Sequence, residues 1–268
     1  MAHSMRNPAA DRMILLHQWY GSPNRERQAE LDRVREINAA ATVFAEVVPV
    51  EGTAKRWTFA DFFQLAAERF PGRICVVSNS DIAFDETIAL AEPLAEQGSL
   101  VALTRWDDAA SPSMEGRSAG EHWHFFSHSQ DAWVFKAGGL PAFEAGFQLG
   151  IPGCESRLAF EAAAAGVIVV DPALSIRCHH HHASAVRSWR RRDGYRGPML
   201  FPRLTTGERI EPEALVIHRS GFKKREWTVR LTGSPADFRS QMDQKTAFSD
   251  LKSLKIGLRS PFYVRNRQ

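Results

Sequence analysis

The chain has 268 residues, enough for one large domain with its own core or a domain with a small appendage. Hydrophobic residues at 44% and charged residues at 24% are ordinary globular usage, compatible with an enzyme. Three cysteines with no C-x-x-C spacing argue against a disulfide framework or a structural zinc site, and no run of about 18 apolar residues is present to cross a membrane.

The net charge is only +3, but basic residues gather late in the chain. Ser188-Trp189-Arg190-Arg191-Arg192 and Phe222-Lys223-Lys224-Arg225 suit either phosphates and polyanions or a solvated surface. Lys252, Lys255, Arg259, Arg265 and Arg267 extend the same trend. Met1 to Met5 carries no signal-peptide core, so a cytoplasmic location is expected, with contact to a membrane surface still open.

Met13-Ile14-Leu15-Leu16 predicts a buried strand, followed by a loop from His17 to Pro23. From Arg25 the pattern turns helical, with Leu31, Val34, Ile37 and Ala41 on one face. Val43 to Val50 predicts a second strand. Thr58-Phe59-Ala60-Asp61 has the form of a capping box, opening a helix stopped by Pro71-Gly72. Ile74 to Ser78 is apolar throughout, as in strands covered on both faces, and Cys75 there is a core residue.

A helix is expected from about Glu86 to Glu96, and a strand from Leu100 to Trp106. Asp107 to His128 predicts a long loop, and loops of that length are commonly functional or disordered. Ala132 to Phe135 predicts a short strand. Glu155 to Ala165 predicts a helix closed by Gly166, and Val167 to Val170 another strand. Alternating strands and helices predict an α/β fold with a mostly parallel central sheet and helices on both faces. Past residue 205 the pattern changes, and Ala214–Ile217 and Trp227–Leu231 predict a hairpin. These shifts divide the chain into 1–204 and a basic C-terminal extension, 205–268, suited to acceptor binding or dimerisation.

Asn79-Ser80-Asp81 follows the most apolar strand, where open α/β sheets bind ligands. A carboxylate there can hold a divalent cation, or simply cap the next helix, a role that Asp85 suits better. His179-His180-His181-His182 offers neutral nitrogen ligands. Only alternate members share a face in extended chain, so one or two reach a metal; a polar surface turn is the competing reading. Glu155, opening its helix after Gly153-Cys154, is placed either to act as a general base or to complement the helix dipole. Trp106-Asp107 and Asp131-Ala132-Trp133 join aromatics to carboxylates at strand edges, suited to sugar binding or to core packing.

In chain order the segments are Gln18-x-Tyr20, Arg56-x-Thr58-Phe59, Asn79 to Asp85, Leu103 to Asp107, Ser129 to Phe135, Gly153-Cys154-Glu155-x-Arg157, and Ile176 to His182 with Ser184 and Arg187. Together they resemble a nucleotide-diphospho-sugar transferase family of the glycosyltransferase A-type (GT-A) fold, over residues 13 to 190. The resemblance implies a metal-dependent glycosyltransferase. Asn79-x-Asp81 is similar to the family's D-x-D motif, with Asn at its first position, and His180 or His182 to the later His that completes a metal site. Gln18, Tyr20, Arg25 and Arg56, with Asn79 and Asp81, are implied donor-binding residues. Glu155 stands where the family usually carries Asp. If transfer inverts the anomeric centre, Glu155 or Asp131 is the expected base; if it retains configuration, those acids only position groups. Trp106, Asp107 and Trp133 are the acceptor candidates.

The implied cofactor is Mn²⁺ or Mg²⁺, and the implied partners are a nucleoside-diphosphate sugar and an acceptor hydroxyl on a glycan, small molecule or nucleic acid. Two other readings stay open. One is a metal-dependent phosphodiesterase or nuclease using Asp81, Asp85 and the His run. The other is a non-catalytic nucleic-acid-binding module stacking bases on Trp189 and Tyr195.

Overall fold

The computed structural model describes residues 12–52, 56–107, 126, 129–184, 186, 189, 193–207, 213–220, 225–232 and 240. The chain begins with strand β1 (Met13–Trp19), helix α1 (Arg25–Ala40) and strand β2 (Phe44–Glu51). Helix α2 (Phe59–Arg69) and strands β3 (Ile74–Ser78) and β4 (Ile82–Phe84) follow. A 3₁₀ turn over Glu86–Ala91 leads into α3 (Glu92–Glu96), then β5 (Leu100–Trp106) and β6 (Gln130–Lys136). Helix α4 (Cys154–Ala164) precedes β7 (Val169–Val170), β8 (Cys178–His180) and β9 (Gly197–Pro202). The last strands are β10 (Glu213–Ser220) and β11 (Arg225–Thr232).

The architecture is α/β, but its sheet is mixed, which corrects the expected mostly parallel arrangement. The order is β2-β1-β3-β6-β5-β8-β4, with β7 also on β5. Pairings among β2, β1 and β3 are parallel, as are those of β5 with β7 and β8. However, β6 lies antiparallel between β3 and β5, and β4 lies antiparallel to β8. Strand–helix alternation reads as a parallel sheet only where a helical crossover joins the strands. Between β5 and β6 no crossover-length apolar pattern occurs, so the β5–β6 pair is free to run antiparallel.

The sheet also has to curl. Only Asn79, Ser80 and Asp81 join β3 to β4, and four extended steps reach about 14 Å. Yet β4 is four strand positions from β3, which in a flat sheet is about 19 Å. Curling brings the β8–β4 edge back over the end of β3. There Asn38 of α1 takes the place of a further strand: its Nδ2 donates to Ile82 O at 2.9 Å, and Phe84 N donates to its Oδ1 at 3.0 Å. The open edge of β4 is thereby satisfied.

Both faces of the sheet carry core. Alternate residues of β1, β3, β5 and β6 divide between them. Leu16, Val77, Ala102 and Trp133 pack with Phe59 and Phe62 of α2 and Leu158 of α4, whereas Leu15, Val76, Leu103 and Val134 pack with Ile88, Leu94 and Ala95. Each of the Leu, Ile, Val and Phe side chains among these contributes about 1.5–3 kcal/mol on leaving water. All three cysteines are buried and free, and burial pushes the Cys75 thiol up to about 12.

The capping box at Thr58 forms as predicted. Thr58 Oγ1 accepts from Asp61 N at 3.2 Å, and Asp61 Oδ2 accepts from Thr58 N at 2.8 Å. Thr58→Ala is expected to cost about 1 kcal/mol, read as a lowered urea midpoint; an unchanged midpoint would remove the cap from the helix's stability.

The predicted hairpin is present as β10 antiparallel to β11, and β9 adds a third strand on the other side of β10. The division drawn between residues 204 and 205 falls on the connection between β9 and β10. Leu200 of β9 enters the core beside α4. Most of the loop expected from Asp107 to His128 lies outside the described residues. So do Arg187, the Arg190–Arg192 run, Lys223 and Lys224, and the basic residues of the tail. No helix among the described residues is long and apolar enough to cross a membrane.

Candidate functional site

Strands β1, β3, β5 and β8 end on the same side of the sheet, and antiparallel β6 begins there. That edge therefore collects Tyr20, Asn79, Asp81, Arg105, Asp107, Asp131 and His180. Two irregularities aim these side chains. Leu103 pairs with Ala132 and Thr104 with Gln130, so Asp131 is the extra residue of a β-bulge. Its carboxylate accepts from Asn79 Nδ2 at 2.6 Å and from Arg105 Nη1 at 3.0 Å. The other is Gly150, at φ +78°, where an added Cβ would stand 3.2 Å from Arg56 Nη1 and 3.5 Å from Asn79 Oδ1. A glycine there lets the segment before α4 close onto Arg56 and Asn79.

The centre of the site is Asp81 Oδ2. Arg27 Nη2 donates to it at 2.6 Å, His182 Nδ1 lies at 3.2 Å and His180 Nε2 at 3.6 Å. Alternation along extended chain puts His180 and His182 on this side, while His179 turns away to Asp85 at 3.0 Å. His181 contributes its backbone N–H to Asp81 O at 2.8 Å. His180 Nδ1 contacts Asp107 Oδ1 at 2.7 Å, and Asp107 also accepts from Arg105 Nε at 2.9 Å.

Burial alone would raise the Asp81 carboxyl. Hydrogen bonds from His180 and His182, with the charges of His180 and Arg27, hold it well below the carboxylate range. At His180 burial is outweighed by its hydrogen bond to Asp81 and the negative charges of Asp81 and Asp131, which raise its pKa. His17, deep in β1, is pushed down to about 4 by burial despite Asp81 nearby, so it is neutral.

Asp131 and Glu155 divide differently. Burial raises Asp131, with Arg105 and His180 opposing. Glu155, in the first turn of α4, is pushed up to about 8 by burial and then by the negative charge of Asp131. Desolvation there outweighs the favourable helix dipole. At neutral pH Glu155 keeps its proton, while at Asp131 the charge and hydrogen bond of Arg105 oppose the rise that burial causes.

Asp81, His180 and His182 form the group suited to a metal among the described residues, with ligand atoms all within 4.8 Å of one another. One carboxylate and two imidazoles suit Mn²⁺, Zn²⁺ or Fe²⁺ better than Mg²⁺. Ligand atoms about 2.1 Å from a single tetrahedral ion stand roughly 3.4 Å apart, near the 3.2 and 3.6 Å seen here. The donor set therefore fits a divalent cation, although Arg27 already places a positive charge on the shared oxygen.

The remaining sequence-predicted residues fall in several places. Tyr20 accepts from Arg27 Nη2 at 3.2 Å, and Arg56 donates to Leu149 O at 3.2 Å. Gln18 is buried within β1. Arg25 is exposed in the first turn of α1, and it is Arg27, two residues on and on the opposite side of the helix, that reaches Asp81. Trp106 is buried, donating to Ala173 O at 2.9 Å with Arg177 over its ring at 5.1 Å. Trp133 is fully buried, edge-on to Phe59 at 5.8 Å. Its side of β6 faces α2, which corrects its acceptor role to a core one. Asp85 turns to His179 and Thr87 rather than to Asp81, as the nuclease reading would need. Tyr195, a stacking platform in the nucleic-acid reading, instead packs edge-on to Phe147 at 5.2 Å and accepts from Gln148 N at 2.8 Å.

Arg27, Glu30 and Arg105 carry contacts that no motif assigned to them. For Arg27 a signal exists: Arg27, Leu31, Val34 and Asn38 follow the spacing of a single helix face, and all four are buried. No protein-family model matches the chain, and no curated protein matches it significantly.

Proposed function

We propose that the chain transfers a sugar from a nucleoside-diphosphate sugar to an acceptor hydroxyl. One observation carries this reading: a cation-suited Asp–His–His group lies next to a pair of buried acids, at the strand ends where α/β sheets bind ligands. Arg56 and Asn79, drawn together by Gly150, are polar groups suited to the donor. Asp131, oriented by Asn79 and Arg105, is the acid able to accept the acceptor's proton. Glu155, protonated at neutral pH, serves as a hydrogen-bond donor beside it. When bound at Asp81, His180 and His182, Mn²⁺ or Mg²⁺ supplies charge neutralisation for a departing diphosphate.

The test is a thermal-shift panel of nucleoside diphosphates and sugar nucleotides, with and without Mn²⁺ or Mg²⁺. At about a hundredfold above its dissociation constant a ligand stabilises the fold by roughly 2.7 kcal/mol. A metal-dependent shift with one nucleotide is expected and names the donor class. No shift with any of them overturns the reading.

A further inference from the structure

The Asp81 oxygen approached by both histidines is also the oxygen gripped by Arg27. Arg27 is only 3% exposed and every arm of its guanidinium is engaged. Nη1 donates to Glu30 Oε2 at 2.9 Å and to His181 O at 3.4 Å; Nε and Nη2 donate to Tyr20 Oη at 3.4 and 3.2 Å. Glu30 in turn accepts from the backbone N–H groups of Ala183 and Ser184 and from Ser184 Oγ, so the same ion pair fixes the segment that leaves His182.

The position of Arg27 is itself informative. It is the third residue of α1, its N–H capped by Asn24. A cation in a first helical turn is disfavoured by the helix dipole. Two carboxylates, Asp81 and Glu30, offset that cost and draw the charge inward. A divalent ion held by Asp81 thus faces a fixed, buried positive charge across the oxygen that binds it, and like charges in a desolvated setting repel strongly.

We propose that Arg27 sets the affinity of the Asp81–His180–His182 group for divalent cations, holding it well below what that donor set alone would give. The inference rests on the cation-binding part of the proposed function and not on the identity of any donor. The side chain neutralises Asp81 when no ion is bound, so the carboxylate stays ionised and buried. It also keeps the group from capturing cations tightly.

The test is titration of the purified full chain with Mn²⁺ alone, followed by calorimetry, for the natural protein and for Arg27→Gln. The expected result is at least tenfold tighter Mn²⁺ binding by Arg27→Gln, together with a larger Mn²⁺-induced rise in Tm. Equal or weaker binding by a folded Arg27→Gln overturns the proposal, and so does an absence of Mn²⁺ binding by both proteins. Where Arg27→Gln does not fold, Arg27→Met, which removes the charge and keeps an unbranched stem suited to the buried space, takes its place. A severalfold gain in Mn²⁺ affinity is then expected, and no gain overturns the proposal. The sugar-nucleotide panel reads donor binding separately: a nucleotide shift with no Mn²⁺ binding sinks this inference and leaves transfer standing.

Discussion

Asp81→Ala is expected to destabilise the fold by about 3–5 kcal/mol and to abolish any shift with a sugar nucleotide. The stability loss follows from what remains behind. Arg27 and Asp81 are 3% and 8% exposed, and removing one member of a buried ion pair leaves the other charge desolvated. Glu30 and Tyr20 still contact Arg27, which places the loss toward the lower end of that range. Urea denaturation measures it directly, since a small apolar substitution should leave the m-value unchanged. The double variant Arg27→Met with Asp81→Leu discriminates further. Replacing both charges with apolar groups of similar size is often neutral, so the double variant is expected to recover most of the stability lost by Asp81→Ala. Recovery of stability without recovery of donor binding would separate the structural role of the pair from its role in the site. A loss below about 1 kcal/mol in Asp81→Ala would mean the pair is solvated, as surface pairs are.

The second large effect concerns pH. Asp171 is fully buried between β7 and the turn that follows, and burial pushes its carboxyl up to about 7. Thr104 N and Ala173 N donate to its Oδ1 at 3.1 and 3.3 Å, and Thr104 Oγ1 to its Oδ2 at 2.6 Å, which limits the rise without reversing it. An unfolded aspartate titrates near 3.9. Between about pH 4 and pH 7 the folded chain therefore keeps a proton that the unfolded chain has released. The native state binds more protons across that window, so this group's contribution to stability is full below about pH 4 and is lost as pH rises through 7.

The slope from one such group is at most about 1.4 kcal/mol per pH unit. Glu155, at about 8, acts in the same direction and extends the window upward. Asp171→Asn removes the titration and keeps the shape. Its Oδ1 can still accept from Thr104 N and Ala173 N, and its Nδ2 can donate to Thr104 Oγ1. The expected result is a difference in stability between variant and natural protein that grows in the variant's favour from pH 4 to 7. A constant difference across that range would show that Asp171 is ionised throughout. Thr104 and Gln130 pair beside the Asp131 bulge, so the same variant also reports how firmly the sheet holds Arg105 and Asp131 in register.

The local structure was largely legible in the sequence because it is set by short-range physics. Uninterrupted apolar residues from Ile74 to Val77 require cover on both faces, and β3 is buried throughout. Thr58 with Asp61 determined where α2 starts, since both ends of the capping box lie within one turn. Alternation along extended chain limited the candidate ligands to alternate members of the His run, and the fold brings His180 and His182 to Asp81 while His179 turns to Asp85. Boundaries were less legible where tertiary pairing extends an element: β1 runs through His17 to Trp19 because β2 and β3 flank it. β4 and β8, at three residues each, have too little pattern to be read at all.

Strand order and direction were decided only in three dimensions. Hydrophobic pattern is the same for a strand paired parallel or antiparallel, so nothing in Gln130–Lys136 announced that β6 would lie reversed between β3 and β5. The bulge that aims Asp131 lies within that antiparallel pairing. The curl imposed by the three-residue β3–β4 link then carries the His run onto Asp81. Arg27 shows the limit most plainly. The face it shares with Leu31, Val34 and Asn38 marks it for burial, but its partner Asp81 is 54 residues away. Residue types and spacing determined which side chains can do chemistry here. Which charges share one buried oxygen was decided by long-range packing, because desolvation and Coulomb energy depend on distances that only the folded chain sets.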